Sequence, residues 1–172
     1  MRKVICAVLV IIIIAMGSAC IAQETDLQET YMSYYRAMIR EAVRFDYQDF
    51  GEGAVGYQYA LVFIDETDTI PSLLLAELTS DGIRYVKVFQ YDPAIPGLIE
   101  PLEPLNEYRN MLYTGEGGKG LLLWYSDGAF DSGIMKVRIV DGKLVQSKLW
   151  YGPNGTWPDD IQREEIVWTD VQ

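Results

Sequence analysis

The sequence predicts an α+β fold in which an N-terminal helix packs on an antiparallel β-meander of about six to eight strands. Two observations lead to this prediction. Apolar residues near the start of the chain recur at steps of three and four, which is the period of an amphipathic helix. Farther on, short apolar or alternating segments are separated by turns rich in glycine, aspartate and proline, which is typical of antiparallel strands. An all-β barrel or a propeller-like sheet is the alternative fold.

Residues 1–22 have the three parts of an export signal. The chain begins with a basic pair after its methionine, residues 4–16 are apolar, and residues 17–22 are mostly small, as a signal peptidase requires. The apolar run is shorter than the roughly 20 residues of a membrane-spanning helix. We therefore expect cleavage, with residues 23–172 forming a single globular domain that is extracellular or held on the outer face of the cytoplasmic membrane.

Cys20 is the residue on which the manner of export depends. The three small residues before it resemble a bacterial lipobox, although Gly17 stands where lipoproteins usually have leucine. An ordinary cut before Gln23 also suits the small residues that precede it. Cys6 lies inside the segment to be removed, so Cys20 would be the sole mature thiol and would form no internal disulfide. Lipidation at Cys20 and free secretion both stay open.

The net charge argues against a nucleic-acid partner. The whole chain carries −11, and loss of residues 1–22 leaves 12 Lys and Arg against 25 Asp and Glu, a charge of −13. A phosphate backbone attracts clustered cations, and an acidic surface repels anionic lipid head groups. We expect no nucleic-acid partner, no cofactor, and attachment to a membrane only through the N-terminus.

The helix is predicted between residues 26 and 45. Thr25 and Gln28 stand at the two ends of a capping-box sequence, which marks a helix start. Acidic residues near the start and arginines near the end complement the helix dipole. The apolar residues at helical spacing are Leu27, Tyr31, Tyr34, Met38, Ala42 and Phe45.

Three strands are predicted after the helix. Residues 57–65 are apolar on both faces, as in a central strand. Residues 72–79 and 83–91 follow, joined by a Ser-Asp-Gly turn at residues 80–82. Prolines between residues 93 and 104 then predict a surface crossing, because proline lacks the amide hydrogen that a strand ladder needs.

The second half of the chain predicts another meander. Its clearest local feature is the hairpin turn Asp141-Gly142. A last edge strand is predicted within residues 164–171. The other predicted strands are residues 107–113, 119–125, 133–140 and 143–150.

The segment from Tyr59 to Asp65, followed by Asp68, Ile70-Pro71 and Leu73-Leu74, resembles a motif of uncharacterised exported or lipoprotein-like proteins of clostridia and their relatives. In that family a strand is followed by a loop of the form Asp-x-Asn/Asp-Gly-Asp-Gly-Ile-Pro-Glu-Leu and by a second strand. The resemblance implies a similar pattern of strands and hairpins over residues 57–150. It also implies a loop like the calcium loops of dockerins and integrin-type repeats.

By this resemblance Asp65 and Asp68 are candidate calcium ligands. The loop departs from the motif at three points: it is shorter, Thr69 replaces the turn glycine, and Ser72 replaces the glutamate. A calcium loop needs the glycine for its sharp turn and the glutamate as a two-oxygen ligand. We therefore expect a solvated turn at this position.

The residue types that most catalytic sites use are scarce. The chain has no histidine and no Gly-x-Ser-x-Gly sequence, and the glycine-rich residues 115–120 lack the spacing of a phosphate-binding loop. We expect a protein that is not an enzyme. The alternative is a carboxylate-dependent glycoside hydrolase-like enzyme, for which the loops offer several acids. These are Asp127, Asp131, Asp159, Asp160 and Glu164.

Aromatic residues provide the candidate ligand-facing surface. Trp124, Tyr125, Trp150 and Trp157 lie near the ends of predicted hairpins. Such rings can stack on sugars or anchor a protein interface, or they can fill the core. Three or more coplanar exposed rings would favour a glycan platform, and complete burial would exclude it.

These observations together predict a non-catalytic exported or cell-surface domain that binds a wall glycan, a peptide or a partner protein. A structural subunit of a surface complex is a further alternative.

Overall fold

The computed structural model describes residues 26–45, 54–80, 82–95, 97–99, 104–105 and 111–172. The predicted export signal and Cys20 lie outside the described residues. The chain is divided into two compact units, and the boundary lies between Ala37 and Met38. Within the described residues, no helix is both long and apolar enough to cross a membrane.

The predicted N-terminal helix is confirmed over residues 26–40. Within it the rings of Tyr31 and Tyr35 lie 5.7 Å apart, and the side chain of Tyr35 is buried. The predicted last turn is instead a separate 3-10 helix, Ala42–Phe45. Here the amide of Arg44 donates to the carbonyl oxygen of Glu41 at 2.8 Å, which is the three-residue spacing that tightens a helix end. The packing of this helix on the meander stays a prediction.

The first of two antiparallel sheets contains β1 (Gly56–Val62), β2 (Ser72–Thr79), β3 (Gly82–Tyr91), β4 (Leu98–Ile99) and β10 (Thr169–Asp170). Their order across the sheet is β10-β1-β2-β3-β4. The central strand, buried on both faces, is β2. Residues 57–65 were predicted to be that strand, but they contribute to β1, where only Ala60 and Val62 are buried and Leu61 is exposed.

The second sheet contains β5 (Met111–Thr114), β6 (Leu121–Asp127), β7 (Asp131–Val140), β8 (Lys143–Pro153) and β9 (Glu164–Glu165). Their order across the sheet is β8-β7-β6-β5-β9. Asp141 and Gly142, between β7 and β8, have φ angles of 51° and 70°, which confirms the predicted hairpin turn, since two successive positive φ angles define its type.

The hydrophobic core lies between the two sheets. Backbone hydrogen bonds join the sheets where the amides of Gly120 and Leu121 donate to the carbonyl oxygens of Phe63 and Ile64, each at 2.9 Å. One face of each sheet supplies the core, so each sheet also has a second face directed away from it. The core side chains include Ala60, Val62, Leu74, Ala76, Val86 and Val88 of the first sheet and Leu121, Leu123 and Val137 of the second.

The closed-barrel alternative is wrong, because the described strands form two open sheets. A single edge strand within residues 164–171 is also wrong. That segment contains two short strands, of which β9 pairs with β5 in the second sheet and β10 pairs with β1 in the first. These pairings join residues far apart in the chain, so local hydrophobic alternation does not reveal them.

Candidate ligand-binding face

The second sheet has an outer face, defined here as the face directed away from the core. Strand register places Met111, Trp124, Ile134 and Trp150 side by side on β5, β6, β7 and β8. Directly opposed residues of antiparallel strands lie on the same face, so these four form a row across the sheet. Ile134 is fully buried and both tryptophans are partly exposed. The indole rings therefore remain partly accessible on this face.

Residues 154–163, the crossing segment, run over the outer face from β8 at one edge to β9 beside β5 at the other. Trp157 makes the main contact between this segment and the sheet. The Trp157 ring meets the Tyr113 ring edge-on at 5.2 Å, and its Nε1–H donates to the carbonyl oxygen of Ile161 at 2.6 Å. At the far end, Glu164 Oε1 accepts a hydrogen bond of 2.8 Å from the amide of Gly117.

A small pocket, the aromatic pocket, opens on one side of the crossing segment and has a volume of about 120 Å³. Arg163 lies in its wall, with its guanidinium carbon 4.2 Å from the ring centre of Trp157 and 4.7 Å from that of Tyr113. These two contacts hold the cation against aromatic rings, a favourable arrangement. The lining residues are Met111, Tyr113, Trp124, Gly155, Thr156, Trp157 and Arg163.

A larger cavity, the charged cleft, lies beside residues 160–162 of the crossing segment and has a volume of about 490 Å³. It combines cations and carboxylates with apolar side chains. Lys136 Nζ pairs with Glu66 Oε1 at 2.7 Å; the lysine is partly buried and the glutamate is exposed. The remaining lining residues include Glu116, Lys119, Leu122, Leu149, Asp160 and Gln162.

Tyr125 lies on the opposite face from the tryptophans, because successive strand residues alternate between faces. Its ring covers Gly133, where an added Cβ would lie 2.5 Å from the tyrosine hydroxyl. Tyr151 lies on the same side and donates to Asp127 Oδ2 at 3.3 Å. Desolvation by its surroundings, together with the carboxylates of Asp131 and Asp127, raises the pKa of Tyr151 to about 12.

Trp150 is on the outer face, and its ring lies so close to Gly152 that an added Cβ would clash with it. Three of the four aromatic residues singled out by the sequence, Trp124, Trp150 and Trp157, therefore share one face, and Tyr125 does not. None of the four predicted rings is completely buried. The planes of Tyr113 and Trp157 meet at 66°, so these two rings do not form a flat platform.

The acids that suggested a glycosidase lie in separate places. Asp127 and Asp131 are register partners at the end of β6 and β7, close to Tyr151. Asp160 lines the charged cleft, whereas Glu164 is bound to the amide of Gly117. Asp127 and Asp131 therefore lie together, and neither of them lines the aromatic pocket or the charged cleft.

The two candidate calcium ligands hydrogen-bond within their own turn. Asp65 Oδ1 accepts hydrogen bonds from the amide and the hydroxyl of Thr67, at 3.2 and 3.0 Å. Asp68 Oδ2 accepts one of 2.8 Å from the amide of Asp65. The bond from the Thr67 amide is the main reason that the pKa of Asp65 is lowered. Among the described residues, no group of three or more acidic or cysteine side chains is arranged to hold a metal.

Sequence reasoning missed Tyr113 and Arg163, which complete the aromatic pocket. The position of Tyr113 could have been predicted from strand alternation, because it stands two residues after Met111 in a strand and so lies on the same face. No sequence pattern predicts the position of Arg163, since it lies in an irregular segment whose position depends on the pairing of β9 with β5.

Comparisons of the chain with protein-family models, with curated proteins and with solved structures find no match. The resemblance to exported clostridial proteins stays a prediction.

Proposed function

We propose that this protein is a non-catalytic, exported binding protein and that the outer face of its second sheet binds a glycan of the cell wall. One observation carries the proposal. The partly exposed rings of Tyr113, Trp124 and Trp157 line a pocket on the same face as a cleft that contains both lysines and carboxylates. This combination matches the chemistry of a sugar chain.

A sugar ring has apolar C–H faces and polar hydroxyl edges. Aromatic rings offer flat apolar surface to the C–H faces, and Trp124 and Trp157 would serve in this way. Each hydroxyl both donates and accepts hydrogen bonds, so a lining with Lys119 as donor and Glu116 and Asp160 as acceptors can satisfy it. The volume of the charged cleft also falls within the roughly 300–1,000 Å³ of typical ligand sites.

Two features favour binding over catalysis. The chain has no histidine. Glycoside hydrolysis needs two carboxyl groups about 5 to 9.5 Å apart across one glycosidic bond. The register pair Asp127 and Asp131 lies beside Tyr151, on the side of the sheet opposite Trp124. A ligand on the outer face would not lie between these two acids.

Calorimetric titration with soluble, peptide-free glycan strands from bacterial cell wall tests the proposal. We expect wild-type protein to bind and Trp124→Leu to bind at least about tenfold more weakly, because truncation of a central aromatic anchor costs about 2 kcal/mol or more. Leucine keeps apolar cover over Ile134 but removes the flat ring.

Tyr151→Leu is the matched control, since it removes an exposed aromatic ring from the opposite side of the sheet. Its affinity should equal that of the wild type. No binding by the wild-type protein, or equal losses in the two variants, would contradict the proposal.

A further inference from the structure

We infer that the aromatic pocket takes a sugar residue that carries a carboxylate, and that Arg163 pairs with this carboxylate. The inference rests on the proposed glycan-binding function and adds the chemical class of the sugar. It depends on how Arg163 is held, on the absence of an acid partner for it among the described residues, and on the side chains that line the pocket.

Arg163 is positioned by aromatic rings instead of by an acid. Its guanidinium carbon lies 4.2 Å from the Trp157 ring centre and 4.7 Å from the Tyr113 ring centre. A guanidinium group has five N–H donors in one plane and no acceptor. Ring contacts of this kind fix the position of the cation, but they do not replace the carboxylate oxygens that these donors prefer.

No acid within the described residues pairs with Arg163. The carboxylate next to it in sequence, Glu164, is used by the amide of Gly117. Two described cations pair with acids, since Lys136 pairs with Glu66 and Arg44 pairs with Glu41, whereas Arg163 is held by rings alone. The donors of Arg163 are therefore available to an anion that enters the pocket.

The walls of the pocket favour an acidic sugar over an acidic peptide. Its volume of about 120 Å³ is several times the roughly 30 Å³ share of one water molecule in the liquid, so the pocket can admit part of a ligand. Trp124 offers a flat surface for a sugar ring, and Thr156 adds a hydroxyl for hydrogen bonding. A peptide carboxylate could also pair with Arg163, but the peptide would make less contact with the surrounding aromatic rings than a sugar ring would.

The test uses two disaccharides that differ only in the acidic group. One joins N-acetylglucosamine to N-acetylmuramic acid, which bears a lactyl carboxylate, and the other is the neutral dimer of N-acetylglucosamine. We expect wild-type protein to bind the acidic disaccharide at least about tenfold more tightly, as for a charge-assisted pair. Arg163→Gln should bind both equally, at the affinity that the wild type has for the neutral dimer.

Lys148→Gln is the matched control, because Lys148 also lies over an aromatic ring, 5.0 Å from the centre of Tyr151, but at a different place on the sheet. It should keep the wild-type preference, and Arg163→Lys should keep part of it. Thermal melting of each variant checks that it is folded.

The outcomes separate the two proposals. If the wild type binds both disaccharides equally, or if Arg163→Gln weakens both equally, the assignment of Arg163 is overturned while glycan binding stands. If neither disaccharide nor the longer glycan strands bind, the proposed function itself fails. Binding of an acetylated, amidated Asp-Ala dipeptide that depends on Arg163, without binding of the acidic disaccharide, would overturn the sugar assignment in favour of a peptide.

Discussion

Asp65 has a structural role that can be measured through pH. Its carboxylate accepts two hydrogen bonds from Thr67, and these bonds lower its pKa in the folded protein. The folded state therefore binds the proton less tightly than the unfolded state. The resulting stabilisation is present above the ordinary aspartate pKa of about 4 and is lost as the pH falls through the lowered value.

We predict that Asp65→Asn has a weaker dependence of stability on pH than the wild type. The wild type should lose more of its free energy of unfolding between pH 5 and pH 2, because the variant has no carboxylate to protonate at this turn. Urea unfolding at a series of pH values measures both. Parallel curves for the two proteins would show that the turn contributes nothing to acid sensitivity.

Individual aromatic residues show how far a sequence can predict a site. Trp124 and Tyr125 are neighbours in a strand, so strand alternation alone separates them onto opposite faces. Trp150 and Tyr151 are separated in the same way. The presence of aromatic residues near hairpin ends was thus predictable, and so was their division between faces. The placement of Arg163 was not, because no local period determines it.

At the scale of elements, the crossing segment determines the shape of the binding face, because it forms part of the wall of both cavities. It has no regular secondary structure along most of its length, and its attachment depends on Trp157 and on the two-residue strand β9. Trp157 combines a ring contact with Tyr113 and a hydrogen bond to Ile161. We infer that the Trp157 ring holds the segment against the sheet at Tyr113, while the hydrogen bond to Ile161 stabilises the fold of the segment itself.

We predict that Trp157→Leu lowers the free energy of unfolding by about 2 kcal/mol, of which the aromatic contact and the hydrogen bond each supply about half. Trp157→Phe keeps a ring and loses the hydrogen bond, so it should cost about 1 kcal/mol. Denaturant unfolding measures both variants.

Val167→Ala is the control, because Val167 is 85 % exposed, and it should change stability by no more than about 0.5 kcal/mol. If Trp157→Leu were as stable as this control, the crossing segment would not be held by Trp157.

The long strands were predictable and the short ones were not. Residues 72–79 were predicted as a strand and form β2, and the Asp141-Gly142 turn joins β7 to β8 as predicted. These elements carry their own alternation and turn residues. By contrast, β9 and β10 have two residues each, too few for any period, and they pair with strands about 50 and 110 residues earlier.

At the scale of the whole molecule, the proposal requires export. We predict that the protein produced in a Gram-positive host lacks its first 19 or 22 residues, since the signal ends in small residues suited to cleavage. Intact-mass measurement distinguishes a lipid adduct on Cys20, found with the membrane, from a soluble species that begins near Gln23. Recovery of the uncleaved chain in the cytoplasm would contradict export and, with it, access to a wall glycan.

The arrangement of two sheets explains why one face is available for a ligand. The inner faces of the sheets pack in the core, and the crossing segment lies on the outer face of the second sheet beside the aromatic pocket and the charged cleft. Strand alternation predicted that sheets would form, but the division of the strands between two sheets required their long-range pairing.

Nuclear magnetic resonance can show directly whether a glycan binds to the outer face of the second sheet. Backbone amide signals of the labelled protein are followed during titration with peptide-free wall glycan strands. We predict shifts in β5, in β6 and in the crossing segment, centred on Trp124, Trp157 and Arg163. Shifts confined to the first sheet or to the Tyr125 and Tyr151 side, or no shifts at all, would contradict this prediction.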